Sequence, residues 1–384
     1  MKIVADENNP FVAEAFSTLG DVTAMPGKQI TRDVLRDAQV LACRSTIKIN
    51  ADLLEGTAIK YVGTGTIGVD HFDTEYMDAK GIKYTNAPGC NADSVADYIT
   101  AALLDYAGDK NIRLAGKTLG VVGCGNVGSR VVKRAAALGM EVIENDPPLA
   151  RATNDPRYRP IDEIFQADFI TLHVPLTRDG RDATLHLANA DFFGKMRPGA
   201  VLLNASRGAV VDSTALREAL NQKHIDGAIL DVWEDEPRCQ PDLSRLCHLT
   251  TAHIAGYSFD GKVNGTNQIY RTICDWLGKD PTWKPEDYLP APEVPSVEID
   301  AENLTDEDVL RRAVFAVYPI REDDARFRET MKIQDPEERG NAFTAVRKNY
   351  PRRREFCWTT VRLKNSRPDL IAKLQGLTFQ VEAI

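Results

Sequence analysis

Thr118-Leu119-Gly120-Val121-Val122-Gly123-Cys124-Gly125-Asn126-Val127-Gly128 is the stretch that decides the fold. An apolar strand, Thr118 to Val122, runs into a glycine turn, and a helical pattern opens at Val127 and reads on to Leu138. A bare GxGxxG is weak evidence, because glycine-rich turns are common; the strand before it and the helix after it supply the context it needs. Gly123 makes the tight turn, Gly125 lets the backbone approach a pyrophosphate, and Gly128 permits close helix–strand packing. The helix start at Asn126 and Val127 offers free N–H groups and a positive dipole end. The second strand ends at Asp146, eighteen residues past Gly128. An acid there accepts hydrogen bonds from the adenosine ribose hydroxyls and repels a 2′-phosphate, so NAD is expected rather than NADP.

Outward from this stretch the chain alternates strands and helices. Further strand candidates are Glu141–Asn145, Phe169–Val174, Ala200–Asn204, Ala228–Val232 and Leu249–Ala252. Six such strands match a Rossmann-type doubly wound parallel sheet. A long apolar-periodic helix, Ala92 to Gly108, precedes them. The first ninety residues hold a separate β–α series: strands at Lys2–Ala5, Val40–Cys43, Tyr61–Gly63 and Ile82–Thr85, with helices starting near Pro10, Thr31 and Asn50. A second α/β layer with a parallel sheet is expected there. After a helix from Phe259 to Leu277 comes a proline-rich boundary, Pro281 through Pro295. The last ninety residues have more arginine and no glycine-rich loop, and read as a small α+β domain. The expected division is 1–92 completed by 257–284, then 93–256, then 285–384.

Composition sets bounds. The 384 residues are 43% hydrophobic and 27% charged, ordinary for a globular protein of two or three domains. A net charge of −9 argues against a nucleic-acid partner, because phosphate binding needs a cationic face. Met1 to Asp6 reaches an acid after three apolar residues, which suits a first strand better than a signal-peptide core. No run of about 18 apolar residues occurs, so no membrane span is expected. The seven cysteines are scattered and odd in number, without a CxxC pair; no metal site and no disulfide framework is indicated, and reduced thiols in a cytoplasm are the plain reading.

Three residues after three successive strands carry the chemistry. Oxidising a 2-hydroxy acid needs a cation for the carboxylate, a base for the hydroxyl proton, and a group that tunes the base. Arg207 follows Val201–Ser206, and its planar fork grips a carboxylate at two points. His253 follows Leu249–Ala252, and a histidine titrates near working pH. Glu236 follows Ile229–Trp233 and suits an acid that orients the ring and stabilises imidazolium. Any one alone proves little: a lone arginine after a strand is usually a solvated cap, and a lone histidine usually structural. The carboxyl ends of strands in a doubly wound sheet converge on one crevice, so the three can meet. His71, His173, His186, His224 and His248 are read as lacking a partner acid at a comparable strand end.

At this point Gly123–Gly128, Asn204-Ala205-Ser206-Arg207-Gly208, Asp231-Val232-Trp233-Glu234-Asp235-Glu236-Pro237 and His253-Ile254-Ala255-Gly256 resemble the D-isomer-specific 2-hydroxyacid dehydrogenase family. The resemblance implies the three catalytic roles just argued and a flavodoxin-like α/β substrate (lid) domain beside the Rossmann domain. It places Asp146, Val174, Ser206, Arg207, Gly208, Asp231 and Gly256 at cofactor-contacting positions. Val174 stands where threonine is usual, so only its backbone is available to the cofactor, and Gly65 stands where alanine is common.

Further stretches resemble one branch of that family: Cys43-Arg44-Ser45-Thr46, Gly63–Gly68, Asn86–Ala92, Tyr257-Ser258 running on to Gly261-Lys262, Tyr318-Pro319-Ile320-Arg321, and Tyr350-Pro351-Arg352-Arg353-Arg354-Glu355-Phe356. What this implies is a small phosphorylated 2-hydroxy acid substrate contacted by Ser45, Thr66 and Tyr257, and a homodimer joined through the C-terminal domain. Two cations compete for the phosphate, Arg44 and the Arg352–Arg354 run; the plain alternative for the run is a solvated or interface face. Two other readings of the whole stay open. One is a dehydrogenase of the same family acting on another acid such as 3-phosphoglycerate, and the other is an NAD-sensing scaffold without turnover.

Overall fold

A computed structural model describes all residues, Met1–Ile384. By internal contacts the chain forms two compact units, Met1–Ala92 with Tyr257–Ala291, and Asp93–Gly256 with Pro292–Ile384.

The first unit is built on five parallel strands: β1 (Lys2–Asp6), β2 (Asp21–Met25), β3 (Val40–Cys43), β4 (Tyr61–Thr64) and β5 (Lys83–Thr85), in the order β2-β1-β3-β4-β5. That is the flavodoxin-like order. Three of these strands read as apolar runs because both faces are covered; β3 and β4 are buried at every residue. β2 is absent from the sequence expectation for the converse reason, since Asp21–Met25 is an edge strand with no buried residue and no apolar run. The helix Phe259–Leu277 returns to this sheet, packing Ile269 and Ile273 on β4 at Gly63. One turn earlier, a Cβ on Gly265 would stand 2.5 Å from the Gly65 carbonyl, so only glycine allows this helix to lie so close to the end of β4.

The second unit holds the six-stranded parallel sheet: β6 (Thr118–Val122), β7 (Glu141–Asn145), β8 (Phe169–Leu172), β9 (Val201–Asn204), β10 (Gly227–Leu230) and β11 (Leu249–Thr250). The order is β11-β10-β9-β8-β6-β7. Beyond β7 a single parallel bridge joins Glu144 to Tyr158. Counting that bridge as a strand gives the doubly wound order 3-2-1-4-5-6 with one strand added, and the strand order reverses between β6 and β8. The expected six strands are all present, several of them a residue or two shorter. The helix Ala92–Lys110 is less one-sided than its apolar period suggests, because it is buried on every side from Ser94 to Ala107. Its buried polar residues are satisfied: Ser94 donates to Glu355, Asp97 accepts from the Phe356 amide and pairs with Arg134, and Asp105 meets His248 and Arg321.

The C-terminal segment carries β12 (Ser296–Asp300), β13 (Thr360–Lys364) and β14 (Gln380–Ala383) as a small parallel sheet with helices. Its core joins that of the larger sheet. Phe327 is wholly buried and stacks on Trp233 with ring centroids 4.8 Å apart. Trp233 in turn donates from Nε1 to the Thr251 carbonyl at 2.9 Å. Phe327→Ala is therefore expected to lower stability by about 3–5 kcal/mol, read as a shifted denaturant midpoint; a loss under about 1 kcal/mol would show that the stack is not structural.

Candidate active site

The crevice of a doubly wound sheet lies outside the carboxyl ends of the strands where their order reverses. Here that point is the turn after β6, and its three glycines are required for different reasons. Gly123 has φ +88°, and a Cβ there would stand 2.6 Å from the His173 carbonyl. A Cβ on Gly128 would come within 1.9 Å of the Gly123 carbonyl. A Cβ on Gly125 would meet nothing within 4 Å. Packing explains the outer two. Only the middle glycine opens on empty space, and it does so at the exposed start of the helix Asn126–Ala137, as a pyrophosphate cradle requires.

Asp146 ties this loop down. Its Oδ2 accepts from the Cys124 amide at 2.9 Å, and its Oδ1 caps the helix Pro147–Thr153 by accepting from Leu149 N at 3.0 Å. A carboxylate oxygen has two acceptor sites, so both oxygens keep capacity for ribose hydroxyls. His173 is held by Thr171 at 2.9 Å, and burial pushes its pKa down to about 3, which leaves it neutral. Val174, half-buried, packs beside Gly123.

The other end of the sheet brings His253 and Glu236 together. β9, β10 and β11 are neighbours, so the segments leaving them run side by side. The Glu236 Oε1 accepts from His253 Nδ1 at 2.7 Å. A carboxylate only accepts, which puts the Nδ1 proton on histidine and leaves Nε2 as the basic atom. Burial alone would raise the Glu236 carboxyl. The hydrogen bond from His253, then the charges of His253 and Arg347, outweigh it and hold the group below the usual carboxylate range. Its Oε2 is buried without a hydrogen-bond partner, so the pair with His253 is its main support.

His253 itself sits at φ +54°, a left-handed conformation uncommon for a residue with a side chain. Asp231 holds it there. The Asp231 carboxylate is buried and takes the amides of Ile254 at 2.7 Å and Ala255 at 3.0 Å, together with the Thr251 hydroxyl at 2.6 Å; its carbonyl takes the His253 amide at 2.7 Å. Gly256 closes the segment. On β9, Asn204 shapes the turn before Arg207 by accepting from the Ser206 amide and hydroxyl and donating to the Arg207 carbonyl. A Cβ on Gly208 would stand 1.9 Å from the Trp233 carbonyl, so this glycine lets the arginine turn lie against the glutamate segment. Arg207 is not bonded to the histidine–glutamate pair; its Nη1 donates to the Ser206 carbonyl at 2.8 Å, and its side chain is partly exposed.

Two of the remaining histidines correct the sequence expectation. His186 meets Glu234, and His248 meets Asp105 at 2.9 Å. The Asp105 partner lies on a helix 143 residues away, which no reading of strand ends reveals. His248 is nevertheless only 9% exposed and also contacted by Arg321, so its pair is structural.

The first unit carries the expected substrate residues on its own framework. Arg44 leaves β3 and reaches the Gly65 carbonyl at 3.4 Å, Ser45 is exposed, and Thr66 bonds Thr64 at 2.8 Å. Gly65 lacks a side chain because the Asn9 carboxamide fills that space, 2.2 Å from where a Cβ would stand. The sequence reading missed Lys262. It lies on the helix one turn before Gly265, whose contact with Gly65 brings it towards Arg44, and its Nζ sits 5.0 Å from the centre of the Tyr257 ring. Burial, then the Arg44 charge, lowers the Lys262 pKa. Its place next to Tyr257-Ser258 was the available signal. No group of three or more histidine, cysteine or acidic side chains is arranged to hold a metal, and no helix is long and apolar enough to cross a membrane.

Comparison with known proteins assigns the class first. Residues 100–255 match the family model described as D-isomer specific 2-hydroxyacid dehydrogenase, NAD binding domain, and residues 288–377 match a model described only as a domain of unknown function. A D-lactate dehydrogenase from Aquifex aeolicus, solved with NAD and lactic acid, is 26% identical with a TM-score of 0.58, covering 72% of this chain and 96% of that one. A protein from Thermus thermophilus gives a TM-score of 0.61 at 28% identity, covering 73% and 99%. The cofactor is NAD. The nearer likeness extends through the C-terminal segment: an erythronate-4-phosphate dehydrogenase of Salinibacter ruber is 44% identical over 94% of both chains, and one of Pseudomonas fluorescens 43% identical over 96% and 97%. The chain belongs to the erythronate-4-phosphate dehydrogenase family.

Two outcomes test this geometry. Gly125→Val should leave the fold intact, at a cost of about 1–2 kcal/mol for the poorer helix cap, and weaken NAD binding at least about tenfold by fluorescence titration, since the added side chain enters ligand space; unchanged affinity would remove the loop from the cofactor site. Glu236→Gln should move the acid limb of the pH–rate profile to lower pH, because imidazolium loses the carboxylate that stabilises it and protonation then requires more acid. A profile that stays in place would separate Glu236 from the base.

Proposed function

We propose that this chain oxidises 4-phospho-D-erythronate at C2, giving (R)-3-hydroxy-2-oxo-4-phosphooxybutanoate, in the route to pyridoxal 5′-phosphate (vitamin B6). The observation that carries the reading is likeness to erythronate-4-phosphate dehydrogenases along almost the whole chain, C-terminal segment included, together with the 2.7 Å pair between His253 and Glu236. NAD, when bound, supplies the acceptor for the hydride leaving C2. Arg207 grips the substrate carboxylate and fixes C2 in place. The Nε2 atom of His253 takes the hydroxyl proton as the carbonyl forms, and Glu236 stabilises the resulting imidazolium through Nδ1. Ser45, Thr66 and Tyr257 contact the substrate.

The phosphate carries up to two negative charges and calls for more than one cation. Arg44 and Lys262 are the cations assigned to it: Arg44 reaches the Gly65 carbonyl, against which Gly265, one turn after Lys262, packs. Within the Arg352–Arg354 run, Arg352 is exposed while Arg353 and Arg354 are only 7% and 5% exposed, which favours Arg44 over either of these two as the phosphate ligand. We further propose a homodimer joined through the C-terminal segment and a cytoplasmic location, the latter supported by seven cysteines outside any disulfide.

Reduction of NAD, followed by fluorescence with 4-phosphoerythronate and a 2-oxo acid to accept electrons, tests the reaction. Turnover with that substrate is expected; turnover with 3-phosphoglycerate alone would assign a sister activity, and NAD binding without turnover on either would leave a sensor. Arg44→Ala and Lys262→Ala should each raise KM for the phosphorylated acid about 10- to 100-fold, the worth of one charge-assisted contact. Unphosphorylated erythronate should be little affected, and an equal effect on both acids would count against the assignment.

A further inference from the structure

The motifs Tyr318-Pro319-Ile320-Arg321 and Tyr350–Phe356 have no part in the chemistry so far, yet their side chains converge. Tyr318 and Tyr350 both donate to Asp323 Oδ2, at 2.9 and 2.7 Å. The Arg353 guanidinium lies over the Tyr318 ring, 4.1 Å from its centre. Asp97 and Asp323 supply negative charge around it, but neither is hydrogen-bonded to it, and its Nε and Nη1 are buried without acceptors. What its Nη2 does reach is the Ala255 carbonyl at 2.5 Å, with the Ser94 carbonyl farther off at 3.4 Å.

We infer that Arg353 is a positioning residue for the general base: it fixes the His253 segment from the side opposite Asp231. Asp231 takes the amides of Ile254 and Ala255, and Arg353 takes the carbonyl of Ala255, so the residue two positions past His253 is gripped at both ends. A buried guanidinium is costly unless its hydrogen bonds are met. Here an ion pair does not set its place; the aromatic face beneath it and the carbonyl in front of it do. With His253 at φ +54°, relaxation of this segment would turn the imidazole away from Glu236. The C-terminal segment is thereby part of what aims the base, and this explains why its tyrosines and arginine cluster although none touches the reacting atoms.

The inference rests on His253 acting as the base, and its test has a readout that does not depend on the substrate. The Nδ1 proton shared by His253 and Glu236 gives a downfield NMR resonance, assigned by its loss in His253→Gln. In Arg353→Met this resonance should disappear or broaden, and in Arg353→Lys, which keeps a charged donor, it should persist. Single-turnover hydride transfer should fall about 10- to 100-fold in Arg353→Met, the effect of a small misplacement of a reacting group, with NAD affinity and KM within about twofold of the parent. The lysine variant should recover most of that loss. Leu370→Ala, a core truncation far along the chain in the same segment, controls for lost stability: it should lower Tm and leave the resonance and the rate intact. A retained resonance and a rate within about twofold of the parent in Arg353→Met would overturn the inference. So would equal losses in Leu370→Ala. If Arg353→Met does not fold, the lysine variant decides: a normal Tm with the resonance lost would also overturn it. Absence of turnover by the parent protein would instead count against the proposed reaction, with the resonance still readable.

Discussion

The carboxylate of Asp231 is the constraint on which the His253 end of the large sheet depends. It leaves β10 buried, and it meets backbone amides that no neighbouring strand can serve, because β11 stops at Thr250 and the chain turns out of the ladder. Unpaired amides buried at a sheet edge cost about 1–3 kcal/mol each. Satisfying them with a carboxylate rather than with another strand lets the backbone take the left-handed turn that presents His253. The same residue thus does the work of a strand partner and of a mould for the base. Tyr98 extends the arrangement inward, since its hydroxyl meets the Thr251 hydroxyl at 2.9 Å and joins the central helix to the mould.

The fold was legible where burial imposes a simple pattern. Strands covered on both faces, such as β3, β4 and β9, show as apolar runs, and the glycine turn after β6 announces itself by spacing. Asp21–Met25 was hidden because an exposed edge needs no apolar residue, and the third strand of the large sheet because a single bridge at Tyr158 leaves no run to find. The proposed catalytic trio was legible because each member follows a recognisable strand. What holds the His253 turn was not: the resemblance implies a cofactor contact for Asp231, and nothing in a sequence says that its carboxylate will also take amides more than twenty residues later. Lys262 was missed for a related reason. Its neighbour Arg44 is remote in the chain, and the two are drawn together only by a glycine-to-glycine contact between a helix and the end of a strand.

The C-terminal segment has a closer relation to the NAD-binding sheet than its different texture suggests. Its residues satisfy the polar groups of the buried helix Ala92–Lys110, and Phe327 covers Trp233. A helix with Ser94, Asp97 and Asp105 on its flanks would be poorly buried without those partners, so the two parts of the chain are matched to one another. The two solved structures compared above match only 73% and 72% of this chain.

Cys124 lies between the glycines of the cofactor turn, where a reactive thiol would be a liability. Burial, followed by the nearby negative charges of Glu144 and Asp146, pushes it up to about 12. At neutral pH it is overwhelmingly protonated, and a thiol is a far weaker nucleophile than a thiolate. Burial, with the acid that shapes the loop adding to it, therefore passivates the turn: oxidants and alkylating agents that consume thiolates have little to attack between its glycines.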